Sequence, residues 1–209
     1  MIYRMGWADG FGDAYHEAWV PIVRDTTFPE TISPRNHHIM NTTTSIADTI
    51  TPGANMSLHY AMTLASDIPA ERWGESAIAG CSHPAFNYAH LAVYPNRMLA
   101  ILGREDLCIE LPFDPELVLP GAACLEDASC YPDKDEVLKL MQEGYEAVIG
   151  LVSTLGEDQL SAANPLEGRM ADMFPTTGSV IAFMLNNHVM MHMGQVSAWR
   201  RAIGLGSAM

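Results

Sequence analysis

His188 and His192 stand four positions apart in "HVMMHMGQ", residues 188–195, one of the most apolar stretches of the chain. On a helix a step of four turns the chain by about 400°, so both imidazoles project from one face, and Gln195 follows on that face three residues later. The face reads Ile181, Leu185, His188, His192, Gln195 and Trp199, with Asn187, Arg200 and Arg201 on the opposite side. A third histidine, His90, occupies an equally apolar setting between Phe86 and Tyr94 in "HPAFNYAHLAVY", residues 83–94. Burying an unpaired imidazole costs roughly 1–3 kcal/mol, so three in one core call for a partner. A divalent metal satisfies all three, because neutral histidine is a common ligand. Three protein ligands leave coordination positions open for a substrate, whereas a closed structural site adds a fourth protein ligand, often cysteine. The competing reading is three ordinary core histidines, each bonded to a carbonyl or to water.

Around this trio the other candidates are weaker. Gln195, and Asn87 one turn before His90, could each hydrogen-bond a ligand histidine, or be buried amides bonded to backbone. His59 is a further long shot on the first helix, and His83, next to Pro84, is read as a helix cap. Val189, Met190 and Met191 separate the last pair without a glutamate, so the general base of an H-E-x-x-H protease is absent. The methionines are core filler on this reading, and Cys81 has no catalytic context.

Four segments are predicted to be the helices that position these residues. The first opens with Thr51 as N-cap and Pro52 at the first helical position and runs to about Ser66, with Met56, Tyr60 and Leu64 as its apolar stripe. The second opens at Ser82 or His83, closes at Gly103, and has a kink expected at Pro95. The third has a capping box, Asp133 with Glu136, and the clearest helical spacing of the chain in Val137, Met141, Tyr145, Val148, Val152 and Leu155. The last runs from about Thr176 to Ile203. Residues 104–132, with four prolines, read as a crossover, and 157–175 as an irregular connector. The fold class is therefore all-α, a four-helix bundle over 45–209 with a long crossover connection. Residues 1–44 carry glycines, prolines and scattered aromatics without helical period and read as an irregular N-terminal extension. Met40 would begin a shorter chain.

Composition bounds the function. Eleven Lys and Arg against 25 Asp and Glu give a net charge of -14, which repels phosphate backbones and anionic membranes and leaves small molecules as the expected partners. No membrane span or signal peptide is visible, so the protein is expected to be cytoplasmic. Its four cysteines form no C-x-x-C and are expected to be free thiols.

"HPAFNYAHLA" at 83–92 together with "HVMMHMGQVSAWRRAIG" at 188–204 resembles the DinB-like (DinB/YfiT) superfamily of metal-binding four-helix bundles, over about residues 45–205. The matching positions are His90 with Leu91, then His188, His192, Gly194, Gln195, Arg200, Arg201 and Gly204; Met191 stands where many relatives have a further histidine. The resemblance implies an up-down-down-up topology, a divalent ion such as nickel or zinc on His90, His188 and His192, and commonly a homodimer. It also implies, by analogy with thiol-using branches, a metal-dependent S-transferase that activates a low-molecular-weight thiol cosubstrate for attack on an electrophile. The alternatives are a metal-dependent hydrolase and a non-enzymatic binding protein in which the metal staples the bundle.

Overall fold

A computed structural model describes residues 44–208; apart from Thr44, the extension read over 1–44 lies outside the described residues. These are helical, without a strand. The elements are α1 (Ile46–Ser66), α2 (Pro84–Ile101), α3 (Lys134–Val152), the short α4 (Glu157–Ser161) and α5 (Arg169–Met173), and a last long stretch. That stretch joins α6 (Thr177–Ala182), a π-helical segment (Phe183–His188) and α7 (Val189–Ala202). α1 packs on α3 and α7, and α2 packs on the same two, so every long helix has two long neighbours. This is the neighbour pattern of a helix bundle. No helix among the described residues is long and apolar enough to cross a membrane.

The first helix starts six positions earlier than its proline suggests. Ser45 is the N-cap, its hydroxyl accepting from the Asp48 N–H while the Asp48 carboxylate accepts from the Ser45 N–H. Two otherwise unpaired amide hydrogens are satisfied together. Ala47 and Ile50 extend the buried face of that first turn, and Pro52 is an interior residue on the exposed side. The core stripe is Ile50, Ala54, Leu58, Ala61 and Leu64, one position out of phase with the predicted Met56, which is 62 % exposed.

α2 begins as predicted, with Pro84 after the N-cap His83, whose Nδ1 accepts from Phe86 N–H. It ends in a Schellman turn: Arg104 N–H donates to Leu99 O at 2.8 Å, and Gly103 adopts φ +67°, a conformation glycine reaches without strain. Residues 84–95 are buried on every side. On α3, Gly144 lets Pro95 approach so closely that a Cβ there would stand 2.7 Å from the proline ring. The predicted α3 stripe is buried from Val137 to Val152, with Leu155 packed partly against it. Asp133 is the N-cap but makes no side-chain cap bond, so the predicted capping box does not form.

The crossover runs back along α2, tied down at three points. Asn96 brackets Ile109, His90 meets the carbonyl of Val118, and His83 Nε2 meets that of Leu125 at 2.9 Å. Rising numbers on the crossover meet falling numbers on α2, so the two are antiparallel. The connector at 157–175, expected to be irregular, contains α4 and α5 and a single bridge between Ala163 and Thr176. All four cysteines are free thiols.

On the last stretch the π segment changes the phase of the helix. Ile181, Leu185, Val189 and Met193, all completely buried, lie on one line of four-residue steps. An α-helix would carry that line around its axis, and the wider π turn compensates. The buried residues of α7 are Val189, Met193, Val196, Trp199 and Arg200; of the predicted face Ile181, Leu185, His188 and Trp199 are buried, His192 is half-buried and Gln195 is exposed. Arg200, expected in solvent, is 1 % exposed. It donates to Leu64 O at 2.7 Å and forms a bidentate pair with Asp67. The guanidinium is buried while the Asp67 carboxylate is more than half exposed, so water screens the pair from one side.

Candidate metal centre

α2 supplies His90, the end of the π segment His188, and the next turn of α7 His192. Their ligand atoms lie within 4.8 Å of one another. The Nε2 atom of His188 is 3.2 Å from that of His90 and 3.1 Å from that of His192. Tyr94 closes one side, its ring centroid 4.2 Å from His188 and 4.9 Å from His90, and Phe86 stacks on His90 at 6.2 Å.

The outer nitrogens decide what the inner ones present. His90 donates from Nδ1 to the carbonyl of Val118, its only partner there being an acceptor. His192 donates from Nδ1 to Oδ1 of Asn87 at 2.8 Å. That amide cannot be the other way round, because its Nδ2 already donates to Ser82 O and His83 O at 3.0 and 3.1 Å. Both rings therefore turn a bare Nε2 lone pair inward. A proton on His188 Nε2 satisfies one of the two; a cation satisfies all three. His188 Nδ1, on the outer side of the ring, is buried and has no partner. Nitrogens bound at ~2.0–2.1 Å to one tetrahedral ion stand ~3.3 Å apart, close to the observed separations. The donor set fits a divalent metal.

Burial keeps these ligands in the form a metal needs. Desolvation, followed by the fields of His192, His90 and Arg97, pushes His188 down to about 3. Desolvation and then His90 push His192 down to about 4. His90 is lowered by desolvation against the opposing bond to Val118. At neutral pH all three are neutral and free to coordinate.

With that geometry in view, the match of the chain to known proteins is informative. The family model of the DinB superfamily matches residues 56–196, more than half of the chain. The chain belongs to the DinB superfamily. No curated protein and no solved structure matches it. The DinB match contains all three histidines, and the buried triad is compatible with metal binding.

Within this DinB domain the supporting residues divide. Asn87, completely buried, reaches the triad through His192. Gln195, predicted on the core face beside it, is exposed, and none of the triad's hydrogen bonds goes to it, while its neighbour Val196 is fully buried. His59 is exposed. His83 is the helix cap that the sequence indicated. Tyr94 went unrecognised as part of the site, although its place four residues after His90 on one helix face was a usable signal. The Val118 carbonyl had no such signal, since a backbone group on a crossover carries no residue-type signature.

Proposed function

We propose that this protein is a metal-dependent transferase in which His90, His188 and His192 hold a zinc or nickel ion and a low-molecular-weight thiol is the cosubstrate. The observation that carries it is the inward convergence of three neutral imidazoles from two helical segments. Among the described residues no cysteine or carboxylate joins them, so protein ligands do not close the coordination sphere. A divalent ion there lowers the pKa of a thiol bound beside it and so supplies a thiolate nucleophile near neutral pH. The protein's own part is orientation: Val118 and Asn87 fix two tautomers, and Tyr94 and Phe86 wall the histidines from water.

The absence of a carboxylate from the cluster favours a thiol over water as nucleophile. Hydrolysis profits from a general base beside the water, while a thiol, with a pKa near 8.5, needs less help. The test is elemental analysis of protein purified without a tag, beside a His188→Ala, His192→Ala double variant, followed by cobalt substitution and titration with thiols. About one metal per chain, lost in the variant, and a new sulfur-to-cobalt absorption band are expected, with thiol-dependent consumption of an electrophile. A holo-protein whose spectrum ignores every thiol would refute the transferase reading; turnover without thiol would establish a hydrolase.

A further inference from the structure

His90, Tyr94 and Arg97 follow one another on α2 at steps of four and three, which places them along one face. The Arg97 guanidinium lies over the Tyr94 ring, 5.4 Å from its centroid, and that ring lies 4.2 Å from His188. Arg72, Arg104 and Arg200 each have a carboxylate partner, Glu75, Asp106 and Asp67. Arg97 is half-buried, and none of the described ion pairs includes it. In a chain with 25 acidic residues, partners for an arginine are plentiful, so a half-buried one without a carboxylate beside a ligand site invites an anion from outside.

We propose that Arg97 is the anion anchor of this site, binding a carboxylate on the small molecule whose reactive end reaches the histidine triad. Contact with the tyrosine ring holds the guanidinium near the site, and its N–H groups match a carboxylate bidentately. Seven helical steps lead from His90 to Arg97, a rise of about 10 Å. The ligand class is thus an acid of dipeptide size, with its thiol or electrophilic carbon at one end and its carboxylate at the other. The pocket lined by Phe174, Phe183, Asn187, Met190 and Met191, next to the last two histidines in the chain, has no charged side chain in its lining. The inference rests on the transferase reading for the identity of the reactive end, and on Arg97 and Tyr94 for the acid.

Calorimetric titration of the zinc-loaded protein with 8-mercaptooctanoate, 8-mercaptooctanol and octanoate tests it, using wild type, Arg97→Gln and Arg97→Lys. Wild type should bind the mercapto-acid at least about tenfold more tightly than the mercapto-alcohol, as a charge-assisted bidentate contact allows. Arg97→Gln should bind the two equally, Arg97→Lys should keep part of the preference, and zinc affinity should stay within a few-fold throughout. Equal binding of acid and alcohol by wild type, or a preference that survives Arg97→Gln, would overturn the anchor. Octanoate isolates the other reading: if the mercapto-acid binds no better than octanoate, the thiol assignment falls while the Arg97 comparison stands.

Discussion

Asn87 offers the sharpest test of how the centre is built, because Asn87→Ala leaves all three imidazoles in the chain and removes the acceptor that orients one of them. The acceptor lost lies 2.8 Å from His192 Nδ1. Without it the ring is free to rotate and to carry its proton on Nε2, the atom that faces the other histidines. Loss of such an orienting partner costs metal affinity roughly 10- to 100-fold, about 1.4–2.7 kcal/mol. Folding is weakened separately: the His83 carbonyl keeps the Asn87 backbone N–H at 3.2 Å, whereas the Ser82 carbonyl loses the side-chain donor at 3.0 Å. An unpaired buried group costs about 1–3 kcal/mol. Zinc affinity should therefore be measured by competition with a chromogenic chelator at a temperature where circular dichroism shows both proteins folded. The dissociation constant is expected to rise 10- to 100-fold for Asn87→Ala and to be unchanged for Met191→Ala, an exposed neighbour of His192. A folded Asn87→Ala protein with the wild-type constant would refute the assignment of His192's tautomer to Asn87.

Two further outcomes follow from packing and proton linkage. In metal-free protein His188 and His192 stay neutral down to about 3 and about 4, while in the unfolded chain they bind protons below about 6.5; stability present above pH 6.5 is therefore lost as pH falls toward 4, by about 1.4 kcal/mol per pH unit for each histidine. Urea denaturation between pH 7 and pH 5 checks this, and a flat profile in chelated protein would contradict it. Gly144→Ala puts a methyl group against the Pro95 ring, where overpacking of about 1–3 kcal/mol outweighs a helix-propensity gain of at most about 1 kcal/mol. Gly150→Ala, on the same helix with nothing within 4 Å, keeps only the gain, so thermal melting should fall for the first and rise for the second; a rise in both would deny the close α2–α3 contact.

The parts of the fold that the sequence disclosed are those where one physical effect dominates. The α3 stripe from Val137 to Val152 is such a case, since a long amphipathic period has no competing reading and each predicted position is buried. The three histidines met because their apolar surroundings forced them inward. Where two effects compete, the reading slipped. Pro52 looked like a helix start because proline is welcome there, but the reciprocal Ser45–Asp48 cap lies further upstream, and the proline ring is accommodated on the exposed side. Arg200 looked like a surface cation because its partner groups, Leu64 O and the Asp67 carboxylate, come from the end of α1, more than a hundred residues away. Gln195 was misplaced for a different reason: it sits at the exposed rim of a face whose buried members are His188 and Trp199, downstream of the change of pitch in the π segment.

That change of pitch has a consequence for how the protein can vary. The six π residues act as a phase adjuster between two stretches of helix that answer to different demands. Upstream, α6 is held by its Thr176–Ser179 cap and by packing around Ile181; downstream, α7 must aim His192 inward while locking Arg200 to α1. A single residue lost from the π turn would rotate everything after it by about 100° relative to everything before. Both the histidine and the arginine would leave their partners together. Point substitutions can accumulate on either side of the adjuster, but the residue count across it ties the candidate metal centre to the closure of the bundle, so the chemistry and the fold share one length constraint.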